Sequence, residues 1–271
     1  IMHAPTGIGK TIAVLAPSLS FAMKNNLTIF FLTSRQTQHK IVVDTLKQIK
    51  QKFSINFECA DVIGKKWMCL QSGVEAMAGS SFHEYCKSLR DDGKCDFYLN
   101  TRKQNMQPTI AAKQSIEELK IISPCNVHDF INEGKNKKLC PYELATLTAE
   151  NAKVVIADYY YIFNQSIRNN FLVKIKKELE NIILIVDEAH NLPTRIRELL
   201  TQKTSSQIIE NAKKEAAKYG HSETIENLDI VENAFFEIGR ETESEGTIAK
   251  NSLIDEINKS NNPKEHFKVR Q

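Results

Sequence analysis

The chain has 271 residues, 41% hydrophobic and 25% charged, enough to bury one sizeable core and leave material for a second module. A formal net charge of +3 is too mild to argue for or against a polyanionic partner. No apolar run approaches the ~20 residues that cross a bilayer, and the first residues lack the basic-then-apolar pattern of a secretion signal. We therefore expect an intracellular protein, cytoplasmic or, in a eukaryote, nuclear, with no membrane partner and with six cysteines that serve as thiols or metal ligands rather than disulfides.

In chain order, a glycine-rich loop "APTGIGKT" (4–11) leads into helical periodicity over residues 10–23, with Pro17 expected to kink it. "LTIFFLT" (27–33) has the length and composition of a buried strand, residues 39–53 return to a helical period, and residues 55–63 read as a second strand containing Cys59. Strand and helix alternate, which predicts a parallel sheet. From Gly64 to about Glu150 there are cysteines, polar connections and one clear helical stretch (109–120), the pattern of an insertion with a poor core of its own. Strands resume at "KVVIAD" (153–158) and "NIILIVDEAH" (181–190). Beyond Leu200 the sequence turns to charged amphipathic helices, expected to close at Gly220 and Gly239. The expected divisions are thus 1–63, 64–150, 151–200 and 201–271.

The chemistry concentrates in three places. In the loop, Thr6, Gly7 and Gly9 let backbone N–H groups face phosphate oxygens, Lys10 supplies charge toward the β and γ phosphates, and Thr11 offers a hydroxyl to Mg²⁺. Ala4 stands where the first glycine of such loops is usual. In "VDEAH", Asp187 ends a buried strand and is placed to hold Mg²⁺, while Glu188 orients or deprotonates the attacking water and His190 serves as a coupling or hydrogen-bonding residue. The third place is the insertion. None of the six cysteines forms a Cys-x-x-Cys pair, so spacing indicates a metal without choosing iron over zinc, although Pro141 directly after Cys140 matches the Cys-Pro that closes ferredoxin ligand runs. Cys125, with His128 nearby, competes for a ligand place, whereas Cys59 falls at strand periodicity and reads as core.

The loop and the acidic box, in this order and with Ala-Pro-Thr-Gly in place of a full set of glycines, resemble superfamily 2 helicases of the DEAH type. The intervening cysteines sharpen this to the XPD-type iron–sulfur helicases, whose relatives include the DinG and FANCJ groups. The resemblance runs from the first residues to about Leu200 and implies a RecA-like α/β motor domain interrupted by a [4Fe–4S] domain, with Cys69, Cys86, Cys95 and Cys140 as ligands. It also implies that residues 201–271 begin a helical arch domain. DNA contacts follow from it as well: Ser34, Arg35 and Gln38 in "FLTSRQTQHK" match the region that touches the tracking strand, and Lys65 and Lys66 stand where the family lines the DNA path. Tyr142, beside the lysines of "KNKKLCPY", adds a stacking surface. The expected activity is ATP-dependent 5′ to 3′ unwinding of DNA at single-strand/duplex junctions, in DNA repair. The chain is expected to begin inside the first strand of a longer protein and to stop before a second motor domain, and so to be inactive alone. The alternatives are a non-catalytic DNA-binding iron–sulfur module and a zinc-binding nucleoside triphosphatase.

Overall fold

Strand and helix alternate in the order the hydrophobic periods predict. The structure is a computed structural model and describes residues 8–201, 203–240 and 246–260. The chain divides into two compact units, Ile1–Leu200 and Thr201–Gln271.

In the first unit α1 (Lys10–Lys24) turns back into β1 (Thr28–Leu32), followed by α2 (Gln36–Phe53) and β2 (Cys59–Val62). A 3-10 turn, Lys65–Met68, opens a stretch built of helices: α3 (Gly79–Asp91), α4 (Asp96–Thr101), α5 (Ile110–Ile122), α6 (Val127–Lys137) and α7 (Pro141–Asn151). Then come β3 (Val154–Ala157), α8 (Tyr160–Phe163), α9 (Gln165–Lys174), β4 (Ile182–Val186) and α10 (Leu192–Leu200). The described strands form one parallel sheet in the order β2-β3-β1-β4.

Successive side chains of a strand point to opposite faces, and β1 uses both. Ile29 and Phe31 join Leu15, Leu19, Val43 and Leu46 of α1 and α2 on one side. Phe30 and Leu32 join residues of α5 to α9 on the other, among them Ile116, Leu119, Phe130, Leu144 and Phe171. The result is a three-layer helix–sheet–helix sandwich. The apolar side chains that α5 to α7 bury belong to the core they share with the sheet and not to a separate core of residues 64–150. The sheet depends on these helices to cover its second face.

A second difference concerns β4. The five consecutive Ile, Leu and Val residues read as fully buried, yet all five are partly exposed, Leu184 by 43%. The reason is position: among the described strands β4 has a neighbour only on its β1 side.

The second unit holds α11 (Ser206–Lys218), α12 (Ser222–Arg240) and α13 (Ser252–Ser260). Gly220, at φ +74°, follows α11 as expected, but α12 continues through Gly239 to Arg240. A glycine inside a helix costs about 1 kcal/mol. Packing of α12 on both α11 and α13 offsets that, with Lys213 bridging to Asp229 at 2.5 Å and to Glu232.

Candidate functional site

Parallel sheets of this kind bind ligands beyond the carboxyl ends of their strands, and the acidic pair lies there. The Asp187 N–H donates to the Leu32 carbonyl at 2.8 Å, carrying the β1–β4 pairing one residue past β4. Only Asn25, Asn26 and Leu27 separate α1 from β1, so the helix folds back and its first residue, Lys10, reaches the same edge. Burial raises the Asp187 carboxyl above its ordinary value and the neighbouring Glu188 adds to this, while the charge of Lys10 draws it partly back. Gly9 caps α1 at φ +81°, a backbone that a residue with a Cβ rarely adopts, and no side chain caps the helix start. The first-turn N–H groups of a helix, together with side chains such as Lys10 and Thr11, are the kind of terminus that can hold an anion. Thr6 and Gly7 lie outside the described residues.

Glu188 has φ +49°, the left-handed region, which is unfavourable for a side chain of this size. What holds it is a buried tyrosine from the segment after β3. Tyr159, buried just after β3, donates its hydroxyl to the carbonyls of Asp187 and Glu188, the latter at 3.1 Å, and is hydrogen-bonded with Ser34. Its signal in the sequence was its place directly after a strand that ends at the same edge. His190, 72% exposed, sets Nδ1 at 3.2 Å from the Glu188 carboxylate, in keeping with a hydrogen-bonding role.

The cysteines sort themselves in space. Cys69 after the 3-10 turn, Cys86 on α3, Cys95 before α4 and Cys140 before α7 line one small cavity, together with Lys65, Gln71, Arg90 and Glu143. Gln71 Nε2 donates to Cys95 Sγ at 3.6 Å, and the Cys140 N–H donates to Thr101 Oγ1 at 2.7 Å. Burial raises the Cys69 thiol, and burial together with Glu143 pushes Cys140 up to about 12. Cys59 and Cys125 sit elsewhere, fully buried among apolar side chains, and the Cys125 thiol donates to the Leu119 carbonyl at 3.2 Å. All six are free thiols. Among the described residues no group of three or more His, Cys, Asp or Glu is set to hold a metal ion.

Behind the cavity Glu143 is fully buried between Arg102 Nε at 2.9 Å and Lys174 Nζ at 2.5 Å. Burial alone would raise its carboxyl, but the charges of Lys174 and Arg102 together outweigh it and hold it below the ordinary value. Another buried pair joins the layers: His39 Nδ1 of α2 lies 2.5 Å from Asp61 Oδ1 of β2, whose second oxygen accepts the Val127 N–H at the start of α6. Neither pair carries a signal in the sequence, because the partners come from distant segments.

The expected DNA-facing residues are dispersed. Arg35 is exposed at the start of α2 with its carbonyl accepting the Gln38 N–H, and Ser34 is tied to Tyr159. Lys65 and Lys66 share the 3-10 turn. Tyr142 is partly buried at the margin of the core, with Lys65 Nζ and Lys174 Nζ at 5.0 and 4.7 Å from its ring centroid.

A parallel α/β sheet with a lysine-bearing helix start and an acidic strand end at the carboxyl edge of its strands is the arrangement seen in RecA-like domains. Residues 31–209, well over half of the chain, match DEAD_2, and the chain belongs to this family, that of the XPD-type superfamily 2 helicases. Among relatives, it is 24% identical over 91% of its length to the "Regulator of telomere elongation helicase 1 homolog" of Caenorhabditis briggsae, 26% of which is covered. It is 29% identical over 57% of its length to "ATP-dependent DNA helicase CHL1" of Saccharomyces cerevisiae, of which it covers 17%. To the "General transcription and DNA repair factor IIH helicase subunit XPD" of Dictyostelium discoideum it is 22% identical over 84% of its length, covering 30% of that protein. The chain thus spans less than a third of the length of each. The solved structure "Truncated XPD" shares its fold, with a TM-score of 0.53 at 20% identity, over 94% of this chain and 70% of that one.

Proposed function

We propose that this chain supplies the ATP-binding part of an XPD-type DNA helicase that moves 5′ to 3′ along single-stranded DNA and opens duplex at junctions, inside the cell and in the service of DNA repair. The observation that carries the reading is the convergence of Cys69, Cys86, Cys95 and Cys140, from four separate elements, on one cavity. A four-iron cluster takes one thiolate on each of its irons, so its ligands surround a space instead of meeting at a point. Four free thiols around a cavity fit that donor set, and Cys59 and Cys125 stand apart from it. Bound there, a [4Fe–4S] cluster would cross-link the 3-10 turn, α3, α4 and α7, contributing folding energy to residues 64–150.

In the nucleotide corner Lys10 and the N–H groups at the start of α1 would hold the β and γ phosphates of ATP, and Thr11 and Asp187 would hold Mg²⁺ to balance their charge. Glu188 orients the attacking water, and the Tyr159 hydroxyl keeps its strained backbone in place. Charge developing in the transition state needs an arginine, worth roughly 10³ or more in rate, which a second motor domain provides. The chain alone is therefore expected to turn ATP over slowly or not at all. Residues 201–271 form the start of the arch.

The test is Lys10→Ala in the complete helicase. Loss of ATP-driven unwinding with the visible absorption of the cluster retained is the expected result, and undiminished unwinding would overturn the proposal. Turnover by the chain alone at the rate of a complete helicase would overturn the requirement for a second motor domain.

A further inference from the structure

The chain has one tryptophan, Trp67, in the 3-10 turn just before the first cavity cysteine. The turn divides its residues sharply. Met68 is fully buried and Lys65 and Cys69 line the cavity, while Trp67 is left 60% exposed. Exposure of one apolar side chain is ordinary, but two further features set this ring apart. Its ring lies over a glycine: the Trp67 backbone N–H donates to the Gly64 carbonyl at 2.9 Å, and a Cβ at Gly64 would stand only 3.3 Å from Cδ1 of the ring. It also carries a cation, with Lys66 Nζ at 4.9 Å from the ring centroid and itself pinned by donating to the Met77 carbonyl at 2.5 Å.

A solvent-facing indole with an ammonium group beside it combines the two elements that single-stranded nucleic acid requires, a π surface for a base and positive charge for the backbone. Tyr142, the aromatic that the sequence pointed to, is partly buried against the core and so offers a base less open ring surface than Trp67 does. We propose that Trp67 is the stacking platform for a base of single-stranded DNA beside the cysteine cavity, with Lys66 as its charged companion. This rests on the DNA-tracking function proposed above. Every base has a π face, so the contact tolerates any sequence.

Because Trp67 is the sole tryptophan, its emission reports this site alone. Titration of the chain with a single-stranded oligo-dT should quench that emission along the same curve that anisotropy of a labelled strand follows. Trp67→Ala should weaken binding on the order of ten-fold, and Trp67→Phe should retain most of the affinity. If Trp67→Ala fails to fold by circular dichroism, the emission titration and Trp67→Phe decide. Strand binding with unchanged emission, or with full affinity in a folded Trp67→Ala chain, overturns the stacking role and leaves the helicase proposal standing. Absence of strand binding altogether overturns both.

Discussion

The hydroxyl of Tyr159, which follows β3, donates to the main-chain carbonyl of Asp187, which follows β4, and at 3.1 Å to that of Glu188. One buried side chain thereby fixes the acidic corner from a strand that does not pair with β4. Tyr159→Phe keeps the ring and leaves those carbonyls without their donor, at a cost of about 1–3 kcal/mol. Urea unfolding should show that loss, and Mg²⁺-nucleotide binding should weaken as Glu188 relaxes from its left-handed backbone. Wild-type stability in the variant would contradict the role assigned to the hydroxyl.

The cysteine geometry makes a pattern prediction. Cys69→Ser, Cys86→Ser, Cys95→Ser and Cys140→Ser should each bleach the visible absorption of anaerobically purified protein. Cys59→Ser and Cys125→Ser should leave the colour while costing some stability, since each thiol is buried in an apolar core. Colourless wild-type protein carrying stoichiometric zinc would reject the iron–sulfur assignment.

Asp187 links function to stability with a definite sign. Burial and Glu188 raise its carboxyl above the ordinary 3.8, so the folded state holds its proton more tightly than the unfolded chain does. The charged form is therefore a liability that is absent below the unfolded value, grows as pH rises through the folded value and is complete at neutral pH. Asp187→Asn should stabilise the chain slightly at pH 7, by about 1 kcal/mol or less given the partial exposure of the site, with the gain fading below about pH 4. Thermal melts across that range measure it, and nucleotide-Mg²⁺ binding should fall in the same variant. A destabilised variant at pH 7 would show that the aspartate serves packing.

Gly134 tests how closely α6 approaches the last cavity cysteine. A Cβ there would stand 2.7 Å from the Leu139 carbonyl oxygen and 2.7 Å from Cγ of Pro141. The carbonyl is rigid backbone, so Gly134→Ala should cost about 1–3 kcal/mol through overpacking despite the better helix propensity of alanine. It should also displace the Cys140–Pro141 segment, read as a lower metal-to-protein ratio after purification. A variant as stable and as fully loaded as wild type would show that the segment yields freely.

Much of the architecture was legible because it rests on local chemistry. Alternating periods marked β1, α2, β3 and β4 to within a few residues, and the glycine before Lys10 announced α1. Cys59 reads as core from its strand period, whereas Cys125 competes for a ligand place in the sequence and is set apart only by its burial away from the cavity that the other four line. Less legible were helix ends and burial. Gly239 reads as a stop signal, yet α12 passes through it because contacts with α11 and α13 outweigh a cost of about 1 kcal/mol.

By itself the sequence determined the order of the elements, the Gly-Lys-Thr before α1, the acidic pair after β4 and the number and spacing of the thiols, since each depends on residue type and spacing along a few turns of chain. Only the tertiary structure decided who faces whom. It brought Cys69, Cys86, Cys95 and Cys140 around one cavity, put the Tyr159 hydroxyl on the carbonyls of the acidic corner, set Tyr142 against the core with two lysines near its ring and left Trp67 in solvent. The physical reason is the same in each case: exposure and hydrogen-bond partners are set by neighbours far away in the chain, and a one-dimensional pattern does not carry their positions.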